Sequence, residues 1–240
     1  QDLYYVETAT GNKTLITHND HKEIDDYTFA PDSKWIAYTD PGKARAFDVI
    51  KLYQIGSKKI VQVTDAWYNS YQPQFSPDGK LLYFISARDF NPTYSHTEWN
   101  HAYNDMQKPY YVRLAVDVKS SFQVENDEVA IKTDSAADNK PEVKDSKNKK
   151  EAPKKDTAKP DEVIVKVDED NLGDRIESLP VAAGNYNNLS ATSEGVYYTS
   201  NTVGKDRTLK YFSLKDKKEN EIGDFGGYVI SADTKKILFR

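Results

Sequence analysis

Histidine and acidic side chains are concentrated in one short stretch of the chain, YSHTEWNHAYNDM at residues 94–106. His96, Glu98, His101 and Asp105 fall within ten consecutive residues there. Imidazole and carboxylate groups are common ligands of metal ions and common general acids and bases in enzymes. The stretch therefore raises the question of a metal or proton-transfer site, and the answer depends on the element that carries these side chains.

The local pattern predicts a short amphipathic helix. Ser95 and Glu98 have the spacing of a capping box, in which a serine hydroxyl caps the start of a helix and the glutamate reaches back to it. Apolar residues from Trp99 to Met106 follow at i, i+3, i+4 and i+7, which is one face of a helix. We expect this helix to pack on the rest of the fold through its Trp and Tyr side chains.

The same helix would separate the two histidines. His96 and His101 would point in directions about 140° apart, so they could not bind one ion together. Glu98, His101 and Asp105 would share one side, which leaves a weak metal or proton-transfer site as an alternative. Zinc normally takes three or four protein ligands and no HExxH motif occurs, so we expect neither a metal nor a catalytic residue in the chain. The candidate contacts of a ligand or partner are Glu98, Trp99, His101 and Tyr103.

The composition favours a β-rich chain and excludes several kinds of protein. Aromatic residues make up 12% of the 240 residues, and strands favour aromatic side chains. The absence of cysteine excludes disulfides and thiolate sites, and a net charge of −5 with mixed signs gives no nucleic-acid footprint. No phosphate loop, dinucleotide fingerprint or GxSxG motif occurs, so we expect no bound cofactor.

The location of the protein stays open at the level of sequence. No apolar run approaches the roughly 20 residues that a membrane helix needs. The chain has no initiator Met and no signal-peptide pattern at Gln1, so we expect a cut or processed N-terminus. A cytoplasmic and a periplasmic location are both compatible with these features.

Four stretches of the chain resemble one another, and each predicts a strand, a tight turn and a second strand. They are FAPDSKWIAYT (29–39), FSPDGKLLYFIS (75–86), LSATSEGVYYTS (189–200) and ISADTKKILFR (230–240). In the second copy Gly79 takes the left-handed position that closes a hairpin with a bulge. The first and last copies have Ser33 and Thr234 there, so we expect more backbone strain in those hairpins.

The spacing of the hairpins predicts an all-β fold, a β-propeller of four-stranded blades. Phe29 and Phe75 are 46 residues apart, and Leu189 and Ile230 are 41 residues apart. These distances are near the period of a WD-like or TolB-like propeller blade. Further strand candidates between the hairpins bring the count to four strands per repeat.

The phase of the repeat indicates that the chain starts and stops inside a blade. Residues 2–18 supply a third and a fourth strand without a first pair, whereas residues 230–240 supply a first pair alone. Two arrangements fit this phase. The two ends complete one shared blade and close a four-bladed ring, or the chain is a piece of a larger propeller.

A polar segment interrupts the repeat. Phe75 and Leu189 are 114 residues apart, which is too long for one blade, and residues 132–162 contain no aromatic residue. A segment rich in Lys, Asp, Glu, Ala and Pro cannot bury enough apolar surface to offset its ordering entropy, so it predicts a disordered insertion. A tether or docking tail is the functional alternative. We therefore expect propeller blades at 1–118, the insertion at 119–162 and further blades at 163–240.

The other polar clusters predict connections between blades. His18 and His21 flank a turn-like HNDH sequence, which favours a solvated loop. Asp25 and Asp26 favour turn chemistry over a paired acid–base site. The glycine pair at 226–227 favours an interblade turn, because no phosphate-loop sequence surrounds it.

Two longer stretches carry a family resemblance. They are FSPDGKLLYFISARDFNPTYSHTEWNHAY (75–103) and VIVKVDEDNLGDRIESLPVAAGNYNNLSA (163–191). Their most discriminating parts are the segments 88–92, 94–103, 174–176, 179–180 and 184–186. The chain resembles, outside the Lys-rich insertion, the N-terminal propeller part of bacterial tricorn-type serine proteases. The SPDG hairpins alone are less specific, because TolB-type and prolyl-oligopeptidase propellers also use them.

The resemblance implies a non-catalytic segment of a large serine peptidase. Such enzymes have two propellers, a PDZ-like domain and a C-terminal catalytic domain that holds the nucleophile, so no catalytic residue is carried over to this chain. The propeller would shape a channel that filters or guides peptide substrates. The implied partners are peptide or unfolded-protein substrates and the remaining propeller, PDZ-like and catalytic domains, with a homo-oligomer as an alternative and no nucleic acid or membrane span. The competing hypothesis is a stand-alone TolB-like propeller that binds proteins and has no enzymatic role.

Overall fold

The computed structural model describes most of the chain outside the Lys-rich insertion. The described residues are 1–42, 47–89, 92–94, 101–102, 104–123 and 163–239. The segments Gln1–Phe122 and Val163–Arg240 belong to one compact unit. Within the described residues the only helical element is the 3₁₀ turn Leu172–Arg175. None of the helical structure in that part of the chain has the length and apolar character needed to cross a membrane.

The regular structure consists almost entirely of short strands. Before the insertion they are β1 (Asp2–Val6), β2 (Lys13–His18), β3 (Tyr27–Phe29), β4 (Trp35–Asp40), β5 (Val49–Gln54), β6 (Ile60–Gln62), β7 (Ser70–Phe75), β8 (Leu81–Ser86), β9 (Thr93–Tyr94), β10 (His101–Ala102) and β11 (Lys108–Arg113). After it they are β12 (Ile176–Ser178), β13 (Asn185–Ala191), β14 (Gly195–Asn201), β15 (Thr208–Ser213), β16 (Lys218–Gly223), β17 (Tyr228–Ile230) and β18 (Ile237–Phe239).

These strands form the blades that the repeat predicts. Three four-stranded sheets have the orders β3-β4-β5-β6, β7-β8-β11-β12 and β13-β14-β15-β16, and every pairing in them is antiparallel. A two-stranded sheet, β1-β2 or β17-β18, lies at each end of the series. The all-β propeller architecture is confirmed. Because β1-β2 and β17-β18 stay in separate sheets, the two ends do not complete a shared blade.

The second strand of each complete sheet is buried on both faces. In β8, Leu82 and Phe84 join a cluster shared with the β3–β6 sheet, and Leu81, Tyr83 and Ile85 join a cluster shared with the β13–β16 sheet. None of the five is more than 7% exposed. The alternation of apolar side chains in this strand predicts one buried face, and the second face is buried because another sheet packs on it.

Three of the hairpins that join a first and a second strand have the predicted turn. Gly79 has a φ of +70°, and Ser33 and Thr234 occupy the equivalent position with φ of 58° and 56°. The Ser76 hydroxyl donates a hydrogen bond to Asp78 Oδ1 at 2.6 Å and so holds the Gly79 hairpin together. A left-handed conformation at a residue with a Cβ costs about 1–2 kcal/mol, so Ser33 and Thr234 carry the expected strain.

A buried arginine forms hydrogen bonds to the backbone on both sides of the insertion. Arg175 is 7% exposed, and its guanidinium donates to the backbone carbonyls of Arg113, Leu114, Asp168 and Asp170. Hydrogen bonds from a charged group are stronger than those from a neutral one, and here they satisfy carbonyls of two separate segments. Arg175 therefore fixes the route of the chain into β12.

The returning segment also lies on two hairpins. The N–H of Val165 donates to Asp32 Oδ2 at 3.0 Å. At the neighbouring hairpin, a Cβ added to Gly79 would lie 2.6 Å from Val165 Cγ2. The segment after the insertion thus packs on the first hairpin of the β3-β4-β5-β6 sheet and on the first hairpin of the β7-β8-β11-β12 sheet.

The predicted helix at residues 95–106 is wrong in the part that the structure describes. His101–Ala102 is strand β10, and its backbone pairs antiparallel with Thr93–Tyr94. Asp105 has a φ of 52°, which no right-handed helix contains. Strand pairing overrides the local helical pattern, because propensity is a weak preference that tertiary context can reverse. Residues 95–100 and 103 lie outside the described residues.

Candidate functional site

A central cavity of about 770 Å³ lies between the first strands of successive sheets. We call β3, β7, β13 and β17 the inner strands, and each contributes lining residues. The turns before β3 and β17 add Asp25, Asp26 and the glycine pair at 226–227, and the β14–β15 connection adds Arg207. The repeat therefore builds the cavity from equivalent parts of four sheets.

The inner strands offer unpaired backbone groups to this cavity. Each pairs with a single neighbour in its sheet, β4, β8, β14 or β18. The other edge of each inner strand has N–H and C=O groups without a partner in the ladder, as at any edge of a sheet. Such an edge can bind an extended peptide through main-chain hydrogen bonds, largely independently of the peptide's sequence.

One position recurs in the wall of the cavity. The position lies three residues before the last residue of each inner strand that pairs with the second strand. Its occupants are Asp26, Gln72, Asn188 and Gly227. Gln72 and Asn188 both have a φ of 53°, and the pairing register shifts beside each of them. A left-handed residue at a register shift is a β-bulge, which re-aims the side chain and bends the strand.

This recurrent position links neighbouring inner strands. The N–H of Gln72 donates to Asp26 Oδ2 at 3.2 Å, and the N–H of Leu189 donates to Gln72 Oε1 at 3.4 Å. One sheet further on, the Tyr228 hydroxyl donates to the carbonyl of Asn188. The wall of the cavity is therefore continuous in its hydrogen bonding from β3 to β17.

The charges in the wall are unevenly placed. Asp25 and Asp26 lie together before β3, and Arg207 is the basic residue that lines the cavity. Burial raises the pKa of the Asp26 carboxyl above its usual value, and the N–H of Gln72 opposes this rise. The cavity thus has an acidic side on which the Asp26 carboxylate is partly removed from water.

The chemistry of this wall is that of a binding surface. Its lining residues include Tyr27, Ser190 and Tyr228 as hydroxyl groups but neither histidine nor cysteine. A serine nucleophile needs an adjacent general base, and the described lining provides no imidazole for Ser190. Carboxylates, amides and open strand edges are suited to holding a polar, extended ligand.

The residues that the sequence predicts as contacts lie elsewhere. Glu98, Trp99 and Tyr103 are outside the described residues, and His101 is placed only as part of β10, opposite Tyr94. Asp105 accepts hydrogen bonds from Asn185 Nδ2 at 2.8 Å and from the N–H of Val203 at 3.3 Å. Its carboxylate is therefore used to join the β8–β11 connection to the next sheet.

The histidine between the first two repeats has acidic neighbours. His18 Nδ1 contacts Asp2, and its Nε2 lies 2.6 Å from Asp20 Oδ1. The hydrogen bond to Asp2, followed by the one to Asp20, raises the pKa of His18. Across the described residues, no three His, Cys, Asp or Glu side chains come together in a way that would hold a metal ion.

Sequence comparison relates the chain to one group of proteases. A family model described as the tricorn protease second beta propeller domain matches residues 1–240. Tricorn protease homolog 1 of Streptomyces coelicolor is 24% identical over 248 residues, which cover 97% of this chain and 22% of that protein. The tricorn protease of Thermoplasma acidophilum is 29% identical over 118 residues, which cover 47% of this chain and 11% of that protein.

Structural comparison gives a likeness of fold. The crystal structure of the tricorn protease superposes with a TM-score of 0.74 at 20% identity, over 100% of this chain and 22% of that one. TolB from Acinetobacter baumannii has a TM-score of 0.54 at 15% identity, over 99% of this chain and 42% of that one. The chain spans less than a quarter of the length of the tricorn proteins it matches, at 24% or less. Because the family model covers residues 1–240, the chain belongs to the family of tricorn protease second β-propeller domains.

Proposed function

We propose that this chain is a non-catalytic propeller segment of a tricorn-like serine peptidase, and that its central cavity is part of a channel that guides peptide substrates toward a catalytic domain outside this chain. The observation that carries the proposal is the wall of inner strands, whose open edges and polar side chains surround about 770 Å³. A folded protein presents few free backbone groups, whereas an unfolded peptide can pair with such edges along its length. The wall therefore favours unfolded peptides as ligands.

The relatives support the peptidase context of this proposal. They are named tricorn proteases, and the chain matches only part of their length, at 22% for the Streptomyces protein. A peptidase that encloses its active site needs a passage for its substrate, and a rigid ring of blades supplies such a wall without moving parts. In this role the propeller selects by shape and backbone hydrogen bonding and performs no bond cleavage.

A cavity-filling variant tests the proposal. Binding of a short, fluorescently labelled peptide without secondary structure is measured by anisotropy for the wild type and for Ser190→Trp, which places an indole in the wall. We expect saturable binding by the wild type and a loss of about tenfold or more in affinity for the variant, because the indole occupies the space of the ligand. Ser193→Trp is the matched control, since Ser193 is exposed on the hairpin of the same sheet and does not line the cavity.

Three results would overturn the proposal. They are an absence of saturable binding by the wild type, equal affinity in wild type and Ser190→Trp, and equal losses in Ser190→Trp and Ser193→Trp. Hydrolysis of the peptide by the purified chain would also contradict a non-catalytic role. Thermal unfolding of both variants establishes that each is folded at the temperature of the binding experiment.

A further inference from the structure

A second, smaller cavity of about 300 Å³ adjoins the acidic side of the central cavity. Asp25 and Asp26 line both cavities, so the two share a wall. Glu23 and Asp48 add two further carboxylates to the smaller one, and Lys22 adds a single ammonium group. A ligand in the smaller cavity is therefore surrounded mainly by negative charge.

Most of this negative charge has no basic partner. Lys22 Nζ lies 2.8 Å from Asp48 Oδ1, so these two charges compensate each other. Among the described residues no Lys, Arg or His forms an ion pair with Glu23, Asp25 or Asp26. Counting the described residues alone, the carboxylates of the smaller cavity outnumber its basic groups, and a cation would lower their free energy.

A buried hydroxyl in the same wall also lacks a partner. Thr39 is 6% exposed and lines the smaller cavity, yet its Oγ1 makes no hydrogen bond. The hydroxyl lies close enough to the Asp26 carboxyl to lower the pKa of that group against the larger effect of burial. A buried hydroxyl left unsatisfied costs about 1–3 kcal/mol, which a ligand with several N–H donors would recover.

The chemistry of the wall selects a primary ammonium group. In the part of the chain that the structure describes, no three acidic or imidazole groups converge as they would around a metal ion. An ammonium group instead carries three N–H donors at tetrahedral angles, which can reach separate acceptors such as two carboxylates and a hydroxyl. The shared wall would leave the rest of the ligand in the central cavity.

We propose that the smaller cavity binds the primary ammonium group of a peptide, either its α-amino group or a lysine side chain, while the peptide chain occupies the central cavity. This inference rests on the proposed function, because it assigns a specific anchoring point to the same ligand. Asp25 and Asp26 supply the charge, and Thr39 supplies the buried acceptor. The partial burial that raises the pKa of Asp26 strengthens any ion pair made there, because screening by water is reduced.

The test uses three peptides of the same uncharged sequence with an amidated C-terminus. One has a free α-amino group, one is N-acetylated, and one is N-acetylated with a single internal lysine. We expect the free-amine peptide to bind the wild-type chain about tenfold more tightly than the acetylated one, since a charge-assisted contact is lost on acetylation. Recovery of affinity by the lysine peptide assigns the site to side-chain ammonium groups as well, and its absence assigns the site to the α-amino group.

Substitutions then locate the effect. In the double variant D25N/D26N we expect the preference for the free-amine peptide to disappear, because each Asn keeps an acceptor oxygen and removes the charge. Thr39→Val is expected to reduce the preference in part. The matched control is Asp65→Asn, which removes an exposed carboxylate that lines neither cavity and leaves the preference unchanged.

The outcomes separate this inference from the proposed function. Equal binding of the free-amine and acetylated peptides would overturn the ammonium site and leave the peptide channel standing, whereas an absence of binding by all three peptides would overturn both. A preference that D25N/D26N retains would likewise overturn the assignment. If that variant fails to fold, Asp25→Asn alone decides, because Asp25 is exposed and its loss should lower the preference about threefold.

Discussion

The inner strands and the strands next to them differ sharply although the same repeat produces both. We call β4, β8 and β14 the middle strands; all six residues of β8 are buried, as are five of the six in β4. The inner strand β3 has no buried residue, and β7 and β13 have register shifts beside a left-handed residue. The middle strands contribute buried side chains along almost their whole length, and the inner strands contribute the polar side chains, bulges and open edges.

This difference separates stability from recognition within each blade. A middle strand gains apolar contacts on both faces, at roughly 25 cal/mol for each Å² removed from water. An inner strand buries fewer of its residues and carries positions such as Gln72 that a regular strand would avoid. We therefore expect substitutions in a middle strand to cost more stability than substitutions in the inner strand of the same blade.

The largest change in the free energy of unfolding should come from truncating a buried side chain of a middle strand. Phe84 is fully buried and stacks on Tyr110 with ring centroids 6.0 Å apart. We expect Phe84→Ala to lower the free energy of unfolding by about 3–5 kcal/mol, because it leaves a cavity between two sheets. Gln74→Ala on the adjacent inner strand should change it by no more than about 0.5 kcal/mol. Urea unfolding measures both values, and similar losses at the two positions would contradict the division between the strands.

Intermediate changes in the free energy of unfolding are expected in the hairpins that join inner and middle strands. They should have opposite signs at two equivalent positions. Gly79→Ala should destabilise by about 1–2 kcal/mol, because a Cβ is unfavourable at a positive φ. Its Cβ would also lie 2.6 Å from Val165 Cγ2. Ser33→Gly at the equivalent, exposed position should stabilise by about 0.5–1 kcal/mol, because relief of the same strain exceeds the entropy cost of glycine. Thermal unfolding distinguishes the signs, and a loss of stability in Ser33→Gly would show that the strain is absent.

The smallest expected change is in the pH dependence of stability, and it comes from the charge of Asp26 on the cavity wall. Burial raises the pKa of this carboxyl above 3.8, so the folded state holds its proton more tightly than the unfolded state does. The resulting stabilisation is present below pH 3.8 and is lost as the pH rises through the raised folded-state pKa.

Asp26→Asn has no such titration and keeps an acceptor oxygen for the N–H of Gln72. The variant should therefore gain stability relative to the wild type as the pH rises from acid to neutral. Melting temperatures of both proteins across this range provide the measurement. A constant difference between them would show that the carboxyl is well solvated.

The sequence predicts most of the fold because its strongest signals are local and repeated. Three of the four hairpins have a turn residue at the position of Gly79, and all four copies have apolar alternation beyond the turn and support the same period. The half-blades at both ends follow from the phase of that period. The helix predicted around His101 rests on a single pattern of eight residues, and pairing between β9 and β10 overrides it.

The candidate site is much less visible in the sequence. Asp26, Gln72, Asn188 and Gly227 share no residue type, so composition and motifs give no reason to group them. An alignment of the four hairpin sequences, extended three residues toward the N-terminus, would have placed Asp26, Gln72 and Gly227 at one position, but it would have put Tyr186 there in place of Asn188. The turn of the third hairpin is shorter than the others, so its strand positions are shifted in such an alignment. Asp25 and Asp26 predict a turn by themselves, and their role in the wall depends on how the sheets are arranged around the cavity. The carbonyl contacts of Arg175 are equally invisible, because they join segments on both sides of the insertion.

The Lys-rich segment enters and leaves the fold at two anchored points. Phe122 packs near Tyr111 and Phe212, with ring centroids 5.9 and 6.1 Å apart, and Arg175 donates to the carbonyls of Asp168 and Asp170 in the returning chain. The closure free energy of a flexible connection between fixed points changes by only about 0.6 kcal/mol when its length doubles. Because the described chain is held on both sides of this segment, we expect insertions of very different lengths there to have little effect on the sheets. The same property makes it the place in the chain to graft a reporter or a second binding module.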